Sequence, residues 1–172
     1  MRQIVLTLSL LIAVAVAPPA RAETRFLAYD AADRVTQALT RGVTLEVDRG
    51  FFGGIAVRSL ISTTARGSAQ MRPGGPNVRG ILPAGASAGD VYSIVPEGDG
   101  RGLTRALCPG ADEAWLALGV VRLGRPLDVE AVGRWADGTL RHCVSLKYDW
   151  RGEWAMPPSV GRDAPEPLAS SR

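Results

Sequence analysis

The chain predicts a single β-rich α+β domain: an antiparallel sheet or partly open barrel, with one short N-terminal helix and one disulfide. Three observations carry that prediction. Apolar and polar residues alternate in several runs, as in Val43, Leu45 and Val47 against Thr44, Glu46 and Asp48, the period of a half-buried strand. Asp137-Gly138 joins two such runs, a strong hairpin-turn signal. Cys108 and Cys143 are the only cysteines, and an even count in an exported chain reads first as a disulfide.

Export is itself an expectation from the first 22 residues. Arg2 precedes Ile4–Ala17, a 14-residue run without charge. That length suits a signal-peptide apolar region and is short for a bilayer-spanning helix. Ala20-Arg21-Ala22 places alanine at −3 and −1 of a cut before Glu23, and no cysteine follows to take a lipid anchor. The expectation is a periplasmic or secreted protein with no membrane span after cleavage.

The elements follow in order. Asp30–Arg41 reads as a short helix, with Asp30 as its cap and Ala31, Val35, Ala38 and Leu39 on one face. Arg41-Gly42 ends it. Residues 43–48 are a strand, and Phe51–Thr64 is β-rich, with Gly53-Gly54 suggesting a bulge or bend. Ser68–Met71 fits a short strand. Residues 72–90 are dense in glycine and proline, so a long loop is expected, anchored by Ile81-Leu82. Val91–Val95 is a short strand and Glu97–Gly102 a turn. Trp115–Leu123 and Leu127–Trp135 are strand-like.

Thr139–Trp150 is the last strand. A strict alternation puts Leu140, His142, Val144, Leu146, Tyr148 and Trp150 on the core face. Cys143 then points to the opposite face, where the Cys108 loop would have to lie. A disulfide requires Cα atoms about 4.4–6.8 Å apart. Residues 156–172 hold four prolines and little to bury, which reads as a disordered tail. The domain is therefore expected to span residues 23–155.

Charge excludes one class of partner. The chain has 20 basic and 17 acidic residues. Residues 1–22 hold Arg2 and Arg21 and no acid, so the remainder carries 18 basic residues against 17 acidic, a net +1. The arginines alternate with acids, and no basic stripe marks a nucleic-acid surface.

The candidate chemistry is thin. Gly85-Ala86-Ser87-Ala88-Gly89 matches G-x-S-x-G, the nucleophile elbow of α/β-hydrolases. Its context is wrong: Pro83 interrupts any leading strand, and β-like residues follow where a helix is needed. His142 is the only histidine, so a histidine-assisted Ser87 or Cys108 would have to use it. Asp112, Asp128 and Asp137 could complete the order. A Cys108 nucleophile requires a free thiol. One histidine and two cysteines close no zinc tetrahedron, and no dinucleotide or calcium motif is present, so no metal or cofactor is expected. Trp154, beyond the last strand, is the candidate exposed aromatic for ligand binding.

Four segments carry a family resemblance: FLAYDAADRVTQALTRG, GFFGGIAVRSLISTTARGSA, LCPGADEAWL and LRHCVSLKYDWRGEW. Together they resemble a group of small exported proteobacterial proteins of unknown function, some of which carry the label 5-aminolevulinate synthase. That label implies a large cytoplasmic pyridoxal-phosphate fold with a Schiff-base lysine. This chain departs from it in length, compartment and motif; Lys147 is its only lysine, and no phosphate-cradling sequence surrounds it. The expected function is a non-catalytic binding or accessory module of the cell envelope, with an unknown envelope protein or ligand as partner. A serine or cysteine hydrolase using Ser87 or Cys108 with His142 is the alternative.

Overall fold

The computed structural model describes residues 23–50, 53–63, 68–86 and 89–155. The signal-peptide, tail, Phe51-Phe52 and Ser87 readings fall outside them. Eight antiparallel strands follow one another around a closed barrel: β1 (Glu23–Ala31), β2 (Gly42–Arg49), β3 (Ile55–Ser62), β4 (Ser68–Pro73), β5 (Val91–Ile94), β6 (Glu113–Leu118), β7 (Leu127–Arg134) and β8 (Leu140–Ala155). Each strand pairs with the next, and β8 returns to pair with β1 from Arg25↔Ala155 to Ala31↔Tyr148. The expected partly open sheet is thus corrected to a closed one. Full closure removes the exposed edges that an open sheet would have to protect.

An eight-stranded barrel has an interior just wide enough for side chains to fill. The alternation delivers them: Leu27 and Tyr29 from β1, Val43, Leu45 and Val47 from β2, Leu116 and Leu118 from β6, Leu127 and Val129 from β7, Leu146 and Tyr148 from β8. Every one of these is 2 % exposed or less.

Two helices close one end of the barrel, where a single helix was expected. α1 (Arg34–Leu39) is shorter than predicted, because Asp30 is spent in β1 opposite Gly42. Asp33 is the cap, its carboxylate accepting from Thr36 N at 2.7 Å. The inward face is also rotated by one residue. Thr36 and Thr40 are buried while Val35 is 51 % exposed. The threonines are held because they have partners: Lys147 N donates to Thr36 Oγ1 at 2.9 Å, and Thr40 Oγ1 lies 3.0 Å from the Tyr148 hydroxyl.

α2 (Gly100–Leu107) occupies what reads as a turn. Its glycines mask it, since each costs a helix about 1 kcal/mol against alanine. Gly100 is required by close approach: a Cβ there would sit 1.7 Å from the Val95 carbonyl oxygen. Leu103, Leu107 and Cys108 then face the barrel core.

Cys108, the C-cap of α2, is bonded to Cys143 of β8, with Cα atoms 5.2 Å apart. The pairing is as expected, but the face is not. Between Ala131/Val132 the β7–β8 register shifts, so that Val144 faces Ala131 and His142 faces Val132, with Cys143 as the extra residue. This β-bulge reverses the alternation. Val144, Leu146 and Tyr148 belong to the interior side, while Leu140 packs with an outer cluster. His142 joins the outer face, and Cys143 is packed against the core that Cys108 enters. A bulge adds local twist and bend, and similar shifts occur in β3 at Arg58 and in β8 at Arg151.

Of the expected 72–90 loop, Arg72 and Pro73 belong to β4, while described residues 74–86 and 89–90 hold no strand or helix, as the glycine and proline density predicts. It lies along the outside of the barrel, where Val78, Ile81 and Leu82 cluster with Val91, Ala117, Val132 and Leu140. Ile81-Leu82 does anchor it.

The three tyrosines give the fold an alkaline limit. Burial pushes Tyr29 up to about 12. Burial also raises Tyr148, further still, and Tyr92, the latter with a contribution from nearby Asp90. In the unfolded chain each phenol ionises near pH ~10. Folded values above unfolded ones mean that the unfolded state loses protons first as pH rises. Stability should be fully present below about pH 10 and fall as pH climbs through about 12. Urea midpoints measured at steps across this range should drop, with phenolate absorbance appearing together with unfolding. A phenolate titration near pH ~10 in still-folded protein would contradict the burial.

Candidate functional site

The two barrel ends differ. α1, α2 and the disulfide fill the end reached after β1 and before β6. The opposite end is formed by the connections β2–β3, β4–β5 and β6–β7 and has no helix among the described residues. There, Gly53, Ile55, Gly89, Asp90, Tyr92, Leu118 and residues 119–122 line a cleft of about 390 Å³. That volume falls within the range of small-molecule sites, roughly 300–1,000 Å³.

The lining follows from the local sequence. Tyr92 points inward from β5 and is 4 % exposed. Its hydroxyl accepts a hydrogen bond from Val57 N at 3.4 Å. β3 needs this donor satisfied by a side chain, because its ladder with β4 covers only Ser59–Ile61 and Ser68–Gln70. Pro73 ends β4 and has no N–H to offer. Gly89 lets the chain pass close to β6: its N–H donates to Leu118 O at 3.0 Å, and a Cβ there would lie 2.4 Å from the same oxygen. Gly119 N donates to Asp128 O at 2.8 Å. The N–H groups of Gly89, Leu118 and Gly119 are therefore engaged, and Asp90 and Arg122 supply the cleft's charges.

A second polar group lies on the outer face of β7 and β8. His142 Nε2 is 2.7 Å from Glu130 Oε2, and Ser145 Oγ donates to that same oxygen at 2.6 Å. Ser145 Oγ is 3.4 Å from His142 Nε2. The Glu130 side chain is 8 % exposed, so a buried carboxylate obtains the partners it needs. This is not a relay. In a catalytic triad the histidine uses one ring nitrogen for the serine and the other for the acid. Here one nitrogen faces both. The bulge at Cys143 creates the cluster by placing His142 and Ser145 on the same side as Glu130. Strict alternation hides it, because odd and even positions of one strand are then assigned to opposite faces.

The remaining sequence candidates are dispersed. Cys108 is a disulfide sulfur rather than a thiol. Ser87 lies outside the described residues, although the segment before it has no strand and β5 follows where an elbow requires a helix. His142 meets Glu130, not Asp112, Asp128 or Asp137. Lys147 is exposed on β8, and nothing around it cradles a phosphate. Trp154 is 48 % exposed and stacks on Phe26 across β8 and β1, with ring centroids 6.3 Å apart. Trp150 instead meets Tyr29 edge-on at 5.4 Å and joins the core. Among the described residues no three His, Cys, Asp or Glu side chains gather as a metal group. Sequence reasoning missed Tyr92, Asp90 and Arg122 as a set, because only barrel closure brings their separate loops to one rim.

Comparison with known protein families, with curated proteins and with solved structures gives no match.

Proposed function

We propose that the protein is an exported, non-catalytic binding module of the cell envelope that takes a small ligand at the helix-free mouth of its barrel. The observation that carries this reading is the asymmetry of the barrel. One end is closed by helices and a disulfide, and the other holds a cleft lined by aliphatic residues together with Asp90 and Arg122. Ligands enter barrels at such mouths. Export is supported by the character of residues 1–22 and is compatible with the disulfide, which suits an oxidising compartment.

The barrel's polarity supports a water-facing exterior. Its interior is apolar, while Asp48, Arg58, Asp128 and Lys147 line its strands and are wholly or partly exposed. A lipid-embedded barrel has the reverse arrangement. No described helix is long and apolar enough to cross a membrane. The hydrolase alternative has lost the Cys108 nucleophile to the disulfide and rests on Ser87 alone.

An NMR screen of the natively exported protein with small uncharged aromatic and aliphatic fragments tests the reading. The amides of Tyr92, Leu118 and Val121 should shift first. Shifts confined to other surfaces would refute the mouth as the site. A fluorophosphonate probe should leave the protein unlabelled, and labelling at Ser87 would establish the hydrolase instead.

A further inference from the structure

We propose that the mouth cleft recognises a small zwitterion with an aliphatic side chain, the chemistry of a free hydrophobic α-amino acid. The inference rests on the mouth being the binding site and adds what occupies it. Asp90 and Arg122 both line the cleft, a carboxylate and a guanidinium on the same rim. Among the described residues neither enters an ion pair, although seven such pairs form elsewhere. Both are exposed. An α-amino acid offers an ammonium to the first and a carboxylate to the second, and guanidinium–carboxylate contacts are among the stronger hydrogen bonds available.

The rest of the lining fits the same ligand. Ile55, Val120 and Val121 present branched aliphatic surface, which suits a leucine-like side chain. The N–H groups of Gly53, Gly89 and Gly119 are already donated to Gly50 O, Leu118 O and Asp128 O. Charged recognition comes from the Asp90 and Arg122 side chains.

The test separates each charge. Leucine, leucinamide and N-acetylleucine are titrated near neutral pH into the natively exported protein, with calorimetry and amide shifts at Tyr92, Leu118 and Val121 as readouts. Leucinamide lacks the carboxylate, and N-acetylleucine lacks the ammonium. Leucine should bind best, with each blocked form weaker by about tenfold or more. Asp90→Asn should abolish the preference for leucine over N-acetylleucine and leave the preference over leucinamide. Arg122→Gln should do the converse. Both residues are exposed, so neither variant threatens the fold. Equal binding of all three forms overturns the proposal, as does a preference that survives both substitutions. If leucine leaves the mouth amides unmoved while uncharged fragments shift them, the zwitterion fails and the mouth stands. If neither moves them, both readings fail.

Discussion

Replacing Cys108 or Cys143 with alanine should cost about 2–5 kcal/mol, the usual range for removing a native disulfide from a small domain. The chain-entropy model gives about 4 kcal/mol for a closure of this length; the cysteines are 35 positions apart. The native contacts act in the same direction. Cys108 is fully buried, and its bond fixes the end of α2 to the bulge of β8, so its loss frees the helical plug from the sheet it seals. Reduction of the wild-type protein should reproduce the loss, and intact mass should rise by two hydrogens on reduction. Urea midpoints compared for oxidised, reduced and alanine forms provide the measurement. Coincident curves would show that the plug holds without the bond.

Leu116→Ala should be of similar size, about 2–5 kcal/mol. Leu116 is 0 % exposed at the middle of β6, opposite Tyr92 on one side and Ala131 on the other. Its neighbours cannot collapse into the vacancy, because ladders on both edges hold the strand at fixed spacing. The cavity term should therefore place the cost in the upper part of that range. Leu123→Ala is the control. Leu123 is 38 % exposed in the β6–β7 connection, and its truncation should change stability by no more than about 0.5 kcal/mol. Equal effects at the two positions would contradict the packed interior.

Period-two patterning and turn chemistry made much of the sheet legible. Val43, Leu45 and Val47 line the interior as their spacing predicts. The Asp137-Gly138 turn joins β7 to β8, with Gly138 at φ +77°, a conformation glycine adopts without strain. The disulfide was legible from the cysteine count and the expected compartment. What escaped depends on long-range structure. α2 begins on a glycine selected by its contact with Val95, and local propensity counts that glycine against a helix. The reversal at Cys143 needs one unpaired residue, and no residue type announces a bulge. His142 was consequently assigned to the core face and lies instead beside Glu130 and Ser145. The mouth was invisible for a related reason: Gly53, Asp90 and Arg122 are neighbours only once the strands between them have closed into a ring.

The pairing of the first strand with the last also dictates the order in which the chain can fold. Asp30 and Arg151 meet across that seam from 121 positions apart. Neighbouring strands can zip as soon as each hairpin is present, but the ring cannot shut until β8 arrives. Until then β1 and the growing end of the meander each present an unsatisfied strand edge, the template on which foreign chains pair. Seven of the eight pairings join strands consecutive in sequence, so the β1–β8 seam is the one pairing that must wait for the whole chain. A polypeptide that emerges N-terminus first thus passes through a stage in which all but its final strand is ready and its most aggregation-prone surface is bare. Pairing of β8 with β1 is then the step that removes the last free edges of the sheet.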